Sequence, residues 1–179
     1  LEHVKTDLFP DEIYVFTPKG RIIELPSQAT PIDFAYSVHT DLGNSCIACR
    51  VDGELTPLSE QLQSGQKIEI ISTQGAQPNP NWLNFIVTAK ARSAIRHFLK
   101  NQQHDESVDL GKRLLDKALA NYGSRYNSLK KSQIKRLLKE TSAPTFEHVL
   151  QQIGLGNQVP FTVANILVPP SKRSIPEGR

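Results

Sequence analysis

The stretch that decides the fold of the first part of this chain is residues 12–25, EIYVFTPKGRIIEL. Two runs rich in β-branched and aromatic residues, 12–17 and 21–25, flank residues 18–20 (PKG), which have turn composition. Such runs favour β-strands, and a short connection containing glycine between two of them favours a hairpin. The stretch therefore predicts an antiparallel pair of strands.

A helix is predicted after the hairpin. Thr30 is a residue type that caps helix N-termini, and Pro31 suits the first helical position, where a backbone N–H is not needed. Apolar residues at helical spacing continue the pattern as far as Val38. Gly43, which can adopt a left-handed conformation, is predicted to end this helix.

Further strands follow the predicted helix. Residues 47–51 indicate a third strand, the Asp52-Gly53 pair indicates a tight turn, and alternation in residues 67–71 indicates a last strand. Four or five strands around one crossing helix within about 70 residues form a β-grasp, whose core needs only one apolar helix face and one apolar sheet face. The predicted fold class is α+β, with the β-grasp domain over residues 5–75.

The second part of the chain is predicted to be all helical. Residues 75–81 (GAQPNPN) form a break rich in Pro, Asn and Gly, and we expect the domain boundary there. Pro80 is expected to open a helix, the first of an α-helical domain over residues 80–168. Residues 169–179 have linker composition and no periodicity, and they are expected to form a flexible tail.

Four helices are predicted inside this domain. A first, opened at Pro80, is expected to be separate from a second that begins near Val108 and is closed by Gly123. Ser132 and Thr145 are predicted to cap the third and the fourth. Short loops are expected to join them.

Charge is unevenly distributed along the chain. Residues 5–75 contain 5 basic and 10 acidic residues, whereas residues 90–140 contain 13 basic and 5 acidic residues. The basic part is the better candidate for contact with a nucleic acid or an acidic protein, and a merely solvated helical surface is the alternative interpretation. The candidate residues of this basic ridge are Lys90, Arg92, Arg96 and Lys100.

The two cysteines, Cys46 and Cys49, have the spacing of a metal or redox pair. In a strand, however, an odd separation sends two side chains to opposite faces. A structural zinc site also needs four ligands, and although His39 is near in sequence there is no second cysteine pair. Both cysteines are therefore predicted to be packing residues, and no metal or cofactor is expected.

No catalytic motif is present in the sequence, so no catalytic residue is expected. Polar residues concentrate in residues 38–44, where the predicted helix ends and a loop exposes them. The imidazole of His39 can stack on a base or form a hydrogen bond, and the alternative is a residue that only completes the helix end. If the strands pair as predicted, the cations Arg50 and Lys67 would lie near His39. The candidate partner-binding residues are His39, Thr40, Asp41, Asn44, Arg50 and Lys67.

Three segments resemble the long RelA/SpoT homologues. Residues 7–20 (DLFPDEIYVFTPKG) and 30–40 (TPIDFAYSVHT) are similar to the TGS domain of those proteins, which is a ubiquitin-like β-grasp, and residues 82–96 (WLNFIVTAKARSAIR) are similar to the start of their helical domain. The stretches at 110–115 (LGKRLL) and 153–157 (IGLGN) resemble the SpoT-like branch more than the RelA branch.

The resemblance implies a non-catalytic regulatory fragment. Hydrolase and synthetase domains would precede residue 1, and further regulatory domains would follow the last residue. The parent protein is expected to be a cytoplasmic (p)ppGpp 3′-pyrophosphohydrolase and GTP pyrophosphokinase of the bacterial stringent response, and no membrane partner is expected.

The resemblance also implies two kinds of partner. In SpoT-like relatives the TGS region is implicated in binding acyl carrier protein and other protein regulators, and we expect this chain to bind such a signal and to control its own hydrolase and synthetase domains. In RelA-like relatives the TGS domain holds the CCA end of uncharged tRNA on the ribosome, with a histidine that matches His39. Uncharged tRNA and the ribosome are therefore the alternative partners.

Overall fold

The computed structural model describes residues 11–173. The chain divides into two compact units, and the division lies between Lys100 and Asn101. The first unit contains five strands: β1 (Glu12–Phe16), β2 (Ile22–Pro26), β3 (Cys46–Val51), β4 (Glu54–Thr56) and β5 (Ile68–Ser72). β1 pairs with β2 as the predicted antiparallel hairpin, and β3 lies antiparallel between β4 and β5. A parallel bridge between Phe16 and Lys67 joins β1 to β5, so the predicted β-grasp arrangement is confirmed.

One helix, α1 (Pro31–Val38), packs on these strands, and a shorter helix, α2 (Thr40–Asn44), follows it. Thr30 caps α1 as predicted, because its hydroxyl accepts the Asp33 N–H at 3.4 Å. The prediction that Gly43 ends the helix is wrong, since α1 ends at Val38 and Gly43 lies inside α2. A Cβ on Gly43 would come within 2.4 Å of the Tyr36 ring, so this glycine is required for close packing.

The first unit has two apolar clusters. One lies among the sheet residues and α1, and its largest members are Leu25, Phe34, Leu62 and Ile68. The other joins α1 to the chain beyond the sheet, and its buried members are Ile32, Tyr36, Cys46, Trp82, Ile86, Ala91 and Ile95. Because residues 82–95 complete the second cluster, the structure does not divide at residues 75–80, where the sequence predicts a boundary.

The segment after the sheet is not the continuous helix expected from Pro80. Residues Pro80–Asn84 form a short 3-10 helix, and the next helix, α3, spans Ala89–Ala120. Between them the N–H groups of Val87 and Thr88 donate to the carboxylate of Asp33 at 3.1 and 2.9 Å. These two bonds hold residues 87 and 88 out of a helix and set the point at which α3 begins.

α3 is one helix of 32 residues where the sequence predicted two. The expected gap, residues 101–106 (NQQHDE), is polar but contains no Gly or Pro, so nothing in it stops a helix. Gly123 has φ +72°, which confirms the predicted left-handed residue just beyond the helix end.

The second unit packs the later part of α3 against α4 (Lys131–Thr141), α5 (Phe146–Gly154) and α6 (Pro160–Leu167). Thr145 caps α5 as predicted, since its hydroxyl accepts the His148 N–H at 3.1 Å. Ser132 does not cap α4, which begins one residue earlier, and the Gln133 side chain accepts the Lys130 N–H at 2.7 Å instead. Sequence reasoning missed α6, whose first residue is Pro160.

Two glycines bring α3 and α5 close together. A Cβ on Gly111 would lie 1.9 Å from the carbonyl oxygen of Leu150, and a Cβ on Gly154 would lie 1.9 Å from the carbonyl oxygen of Ser107. Each helix thus presents a glycine to the backbone of the other. Neither position accepts a side chain without movement of a helix.

The first residues of the expected flexible tail have defined contacts. Pro170–Lys172 form a 3-10 turn, and the Arg173 guanidinium lies 3.8 Å from the centroid of the Tyr122 ring. Its Nε donates to the carbonyl of Val168 at 3.1 Å. These contacts hold residues 170–173 against the second unit, and residues 174–179 lie outside the described residues.

The cysteines are not on opposite faces of β3. Both side chains are buried, because the pairing of β3 with β5 shifts register between Cys46 and Ala48 and so breaks the strict alternation. Both are free thiols. Burial raises the pKa of Cys46 to about 12 and that of Cys49 to about 11, so both thiols are protonated at neutral pH.

Candidate partner-binding site

His39 forms the joint between α1 and α2. Its backbone is extended, with φ −163° and ψ 142°, and its Nδ1 accepts the Asp41 N–H at 3.0 Å, which caps α2. The neutral ring therefore carries its proton on Nε2. The side chain is 65% exposed. His39 is a capping residue that still offers an N–H donor and most of its ring to a partner.

The neighbouring candidates divide into exposed and structural residues. Thr40 is exposed, and the Asp41 side chain is 90% exposed with a carboxylate oxygen 3.6 Å from Nδ1 of His39. Asn44 instead accepts a hydrogen bond from the Tyr36 hydroxyl at 2.8 Å. Because burial raises the pKa of Tyr36, that hydroxyl remains a donor. Asn44 therefore helps to hold the loop in position, while the side chains of His39, Thr40 and Asp41 are exposed and available to a partner.

Arg50 and Lys67 do not come near this loop. The end of the sheet next to α2 is marked by the bond from the Thr73 N–H to the carbonyl of Ser45. Lys67 precedes Thr73 by six residues, about 20 Å along an extended strand. Arg50 is exposed in β3 and lies opposite Glu69 of β5. Both cations belong to the middle and far end of the sheet.

Lys90 is the basic-ridge residue that the structure places beside the loop. Its ammonium donates to the carbonyl of Ser37 at 3.5 Å, and Ser37 is two residues before His39. The sequence placed Lys90 with the other ridge cations because it is close to them along the chain. Its hydrogen bond instead makes it a neighbour of the α1 end, where it adds a positive charge.

The other three ridge residues, Arg92, Arg96 and Lys100, repeat every four residues on α3 and so follow one side of the helix. Arg96 and Lys100 are exposed. Arg92 is half-buried, and its guanidinium donates to the carbonyl of Ile86 at 3.2 Å. The exposed charge of the ridge is thus carried mainly by two residues.

Sequence reasoning missed Asp33, the polar centre of the first unit. This residue is fully buried, and its carboxylate accepts the N–H and hydroxyl groups of Thr30 and Thr88 and the N–H of Val87. The available signal was the T-x-x-D spacing from Thr30, which is a capping box with aspartate in place of glutamate. Asp33 fixes the first turn of α1 to the start of α3.

The described residues offer no alternative metal centre. Among residues 11–173, no group of three or more His, Cys, Asp or Glu side chains is placed to hold a metal ion. Within the same range, no helix is both long and apolar enough to cross a membrane.

Comparison with protein families assigns both units. Residues 13–72 match the TGS domain, and residues 98–168 match the RelA/SpoT AH domain. The chain therefore carries a TGS domain followed by the AH domain of the RelA/SpoT family. The matched regions are the TGS and AH domains and do not include the catalytic domains of that family. The start of the AH match agrees with the division of the two compact units near Lys100.

Relatives with assigned functions cover nearly the whole chain. It is 52% identical over 97% of its length to the bifunctional (p)ppGpp synthase/hydrolase SpoT of Escherichia coli K12. It is 49% identical over 94% of its length to a guanosine-3′,5′-bis(diphosphate) 3′-pyrophosphohydrolase of Vibrio cholerae, and 38% identical over 99% to a GTP pyrophosphokinase of Myxococcus xanthus. It covers 26%, 24% and 24% of these proteins, so it spans about a quarter of their length.

Proposed function

We propose that this chain is the TGS–AH regulatory region of a bifunctional (p)ppGpp synthase/hydrolase of the SpoT-like branch, and that it binds an acidic protein signal such as acyl carrier protein. The observation that carries the assignment is the 52% identity to E. coli SpoT across both units. Identity to the Myxococcus GTP pyrophosphokinase is lower, at 38% over a similar span.

The proposed contact surface is the exposed part of the basic ridge. Arg96 and Lys100 are one helical turn apart and exposed, so they can meet carboxylates of an acidic protein without prior rearrangement. Complementary charge of this kind raises association rates and selects among partners more than it raises affinity. Lys90 adds a cation beside the His39 loop, which gives the surface a second contact point.

Binding would be transmitted to the enzyme through α1. This helix is tied to the start of α3 at both ends, by Asp33 at its N-terminus and by the bond from Lys90 to the Ser37 carbonyl at its C-terminus. A partner that engages the loop and Lys90 therefore acts on the first turns of α3. Control of the hydrolase and synthetase domains also requires that the partner bind two states of the enzyme with different affinity.

Titration of labelled acyl carrier protein with this chain tests the partner. We expect saturable binding that weakens at least tenfold in Arg96→Glu/Lys100→Glu, because two attractive contacts become repulsive. A control with the same charge change, Lys135→Glu/Lys139→Glu, replaces exposed residues of α4 and should weaken binding less than threefold. Equal weakening in both double variants would show that net charge alone drives the association.

The regulatory assignment has its own test in the full-length protein. Deletion of residues 12–72 should change the ratio of hydrolase to synthetase activity measured on (p)ppGpp and GTP. An unchanged ratio would reject regulation by the TGS domain, whatever the result with acyl carrier protein.

The exposed ring of His39 supports a second candidate, binding of the CCA end of uncharged tRNA. A terminal adenine could stack on the imidazole or accept its Nε2–H, while Lys90 faces the phosphate backbone. Fluorescence anisotropy with uncharged tRNA near physiological salt should then show saturable binding that His39→Ala abolishes. The matched control is Thr40→Ala, an exposed neighbour, and an equal loss there would place the effect in the loop conformation.

A further inference from the structure

A cavity in the second unit lies outside the surfaces considered so far. Its volume is about 210 Å³, and it is open to solvent. Such a volume holds several water molecules and is large enough for a small anion. The lining residues are Lys112, Arg113, Asp116, Arg125, Tyr126 and Asn127.

Arg125 is positioned in advance by Asp116. One guanidinium nitrogen of Arg125 donates to a carboxylate oxygen of Asp116 at 2.8 Å, and the other oxygen accepts the Tyr126 N–H at 2.8 Å. The Arg125 side chain is still 70% exposed, so donors remain directed to solvent. The carboxylate holds Arg125 in place and leaves the three cations of the lining in excess over one anion.

The loop that carries Arg125 is held at several points. The Arg125 N–H donates to the Ser128 hydroxyl at 3.2 Å, and the Tyr126 ring stacks on Phe146 with centroids 6.0 Å apart and planes 12° apart. The Lys112 ammonium lies 5.9 Å from the centroid of the same ring. Tyr126 is therefore engaged by protein groups, which leaves charge, and not base stacking, as the means of recognition.

We propose that this cavity binds a small phosphate-bearing anion through Lys112, Arg113 and Arg125. Arginine presents a planar fork of donors that matches phosphate oxygens, and lysine adds a mobile point charge. A guanidinium already fixed by a carboxylate loses less conformational entropy on binding than a free one. The site belongs to the AH domain and does not depend on which partner the TGS domain binds.

Isothermal titration with inorganic pyrophosphate, with inorganic phosphate as the smaller probe, tests this site on the whole chain. We expect saturable pyrophosphate binding that weakens at least tenfold in Lys112→Gln/Arg113→Gln, which keeps the side-chain stems and removes two charges. The matched control, Lys135→Gln/Lys139→Gln, removes the same charge from exposed positions outside the cavity and should change affinity less than twofold. Thermal unfolding without ligand checks that each variant is folded.

Two results would overturn the proposal. The first is no saturable heat with pyrophosphate, and the second is equal weakening in the two double variants, which would indicate adventitious ion binding by a basic surface. A short single-stranded RNA, used as a separate probe, distinguishes the causes of the first result. If RNA binding depends on Lys112 and Arg113 while pyrophosphate does not bind, the residues contact a nucleic-acid backbone and the cavity is not a small-anion site.

Discussion

The two units hold their elements together by opposite means. In the first unit, which contains the TGS domain and is called the TGS unit below, the buried carboxylate of Asp33 accepts hydrogen bonds from residues 30, 87 and 88. In the second unit, which contains most of the AH domain and is called the AH unit, two glycines let helix backbones meet directly. The first arrangement fails when atoms are removed, because buried donors lose their acceptor. The second fails when an atom is added. Hydrogen bonds to Asp33 fix the position of α1 against the start of α3 in the first unit. Glycine contacts fix the distance between α3 and α5 in the second unit.

Asp33→Ala gives the largest expected effect and tests the first half of this comparison. Removal of the carboxylate leaves the N–H groups of Thr30, Val87 and Thr88 without their acceptor, and because Asp33 and Thr30 are fully buried we expect a loss of about 4 kcal/mol in the free energy of unfolding. Urea denaturation followed by circular dichroism measures it. Asp105→Ala, at an exposed position of α3, is the control and should change stability by less than about 0.5 kcal/mol. A loss below about 1 kcal/mol at Asp33 would mean that water replaces the carboxylate.

Gly111→Ala tests the other half. The added methyl group would lie 1.9 Å from the Leu150 carbonyl oxygen, so the two helices must separate. Overpacking costs about 3 kcal/mol and the better helix propensity of alanine returns about 1 kcal/mol, which leaves a net loss of about 2 kcal/mol. The same denaturation experiment measures it, with Gln103→Ala at an exposed position of α3 as control. An increase in stability would show that the helices can move apart freely.

Local chemistry explains which features the sequence could predict. The turn of the β1–β2 hairpin, the caps at Thr30 and Thr145, and the Asp52-Gly53 turn depend on residues within four positions of each other. All four are present in the structure. Each is decided by backbone preference and short hydrogen bonds, which a single sequence shows directly.

The missed features depend on contacts that are distant in the chain. Asp33 and Thr88 are 55 residues apart, and the sequence gives no sign that the Asp33 carboxylate will accept a hydrogen bond from the Thr88 N–H. Gly43 was interpreted as a helix stop, although its role is to make room for the Tyr36 ring. At the candidate site, the exposure of His39 could be predicted because it lies in a loop. That Arg50 and Lys67 lie away from His39 could be seen only from the register of the paired strands.

Alkaline pH should weaken the TGS unit through its buried thiols. Cys46 and Cys49 have pKa values raised by burial to about 12 and about 11, whereas unfolded thiols titrate near 8.5. Above that pH the unfolded chain loses protons that the folded chain keeps, so stability falls as pH rises. We expect a loss of about 1.5 kcal/mol between pH 7.5 and pH 9, about half of it from each thiol.

The control for this pH effect is the double variant Cys46→Ala/Cys49→Ala. It should be less stable than the parent at pH 7.5 because two packed side chains are smaller, but its stability should change less between the two pH values. Denaturation at each pH gives the slope. An identical slope in the parent and the variant would place the pH dependence in other groups, of which Tyr36 is the next candidate because burial raises its pKa as well.

Tyr36→Phe has the smallest expected effect and separates the two kinds of contact within the loop itself. The Tyr36 ring packs on Gly43, while its hydroxyl donates to Asn44. The substitution keeps the ring and removes one hydrogen bond, and since Asn44 is half-buried and can reach water, we expect a loss of about 1 kcal/mol in denaturation experiments. Asn44→Ala should cost a similar amount, and the double variant should cost little more than either one, because both single variants remove the same bond. Full additivity of the two losses would mean that the hydroxyl and the amide act separately, and that packing of the ring on Gly43 alone fixes the position of the His39 loop.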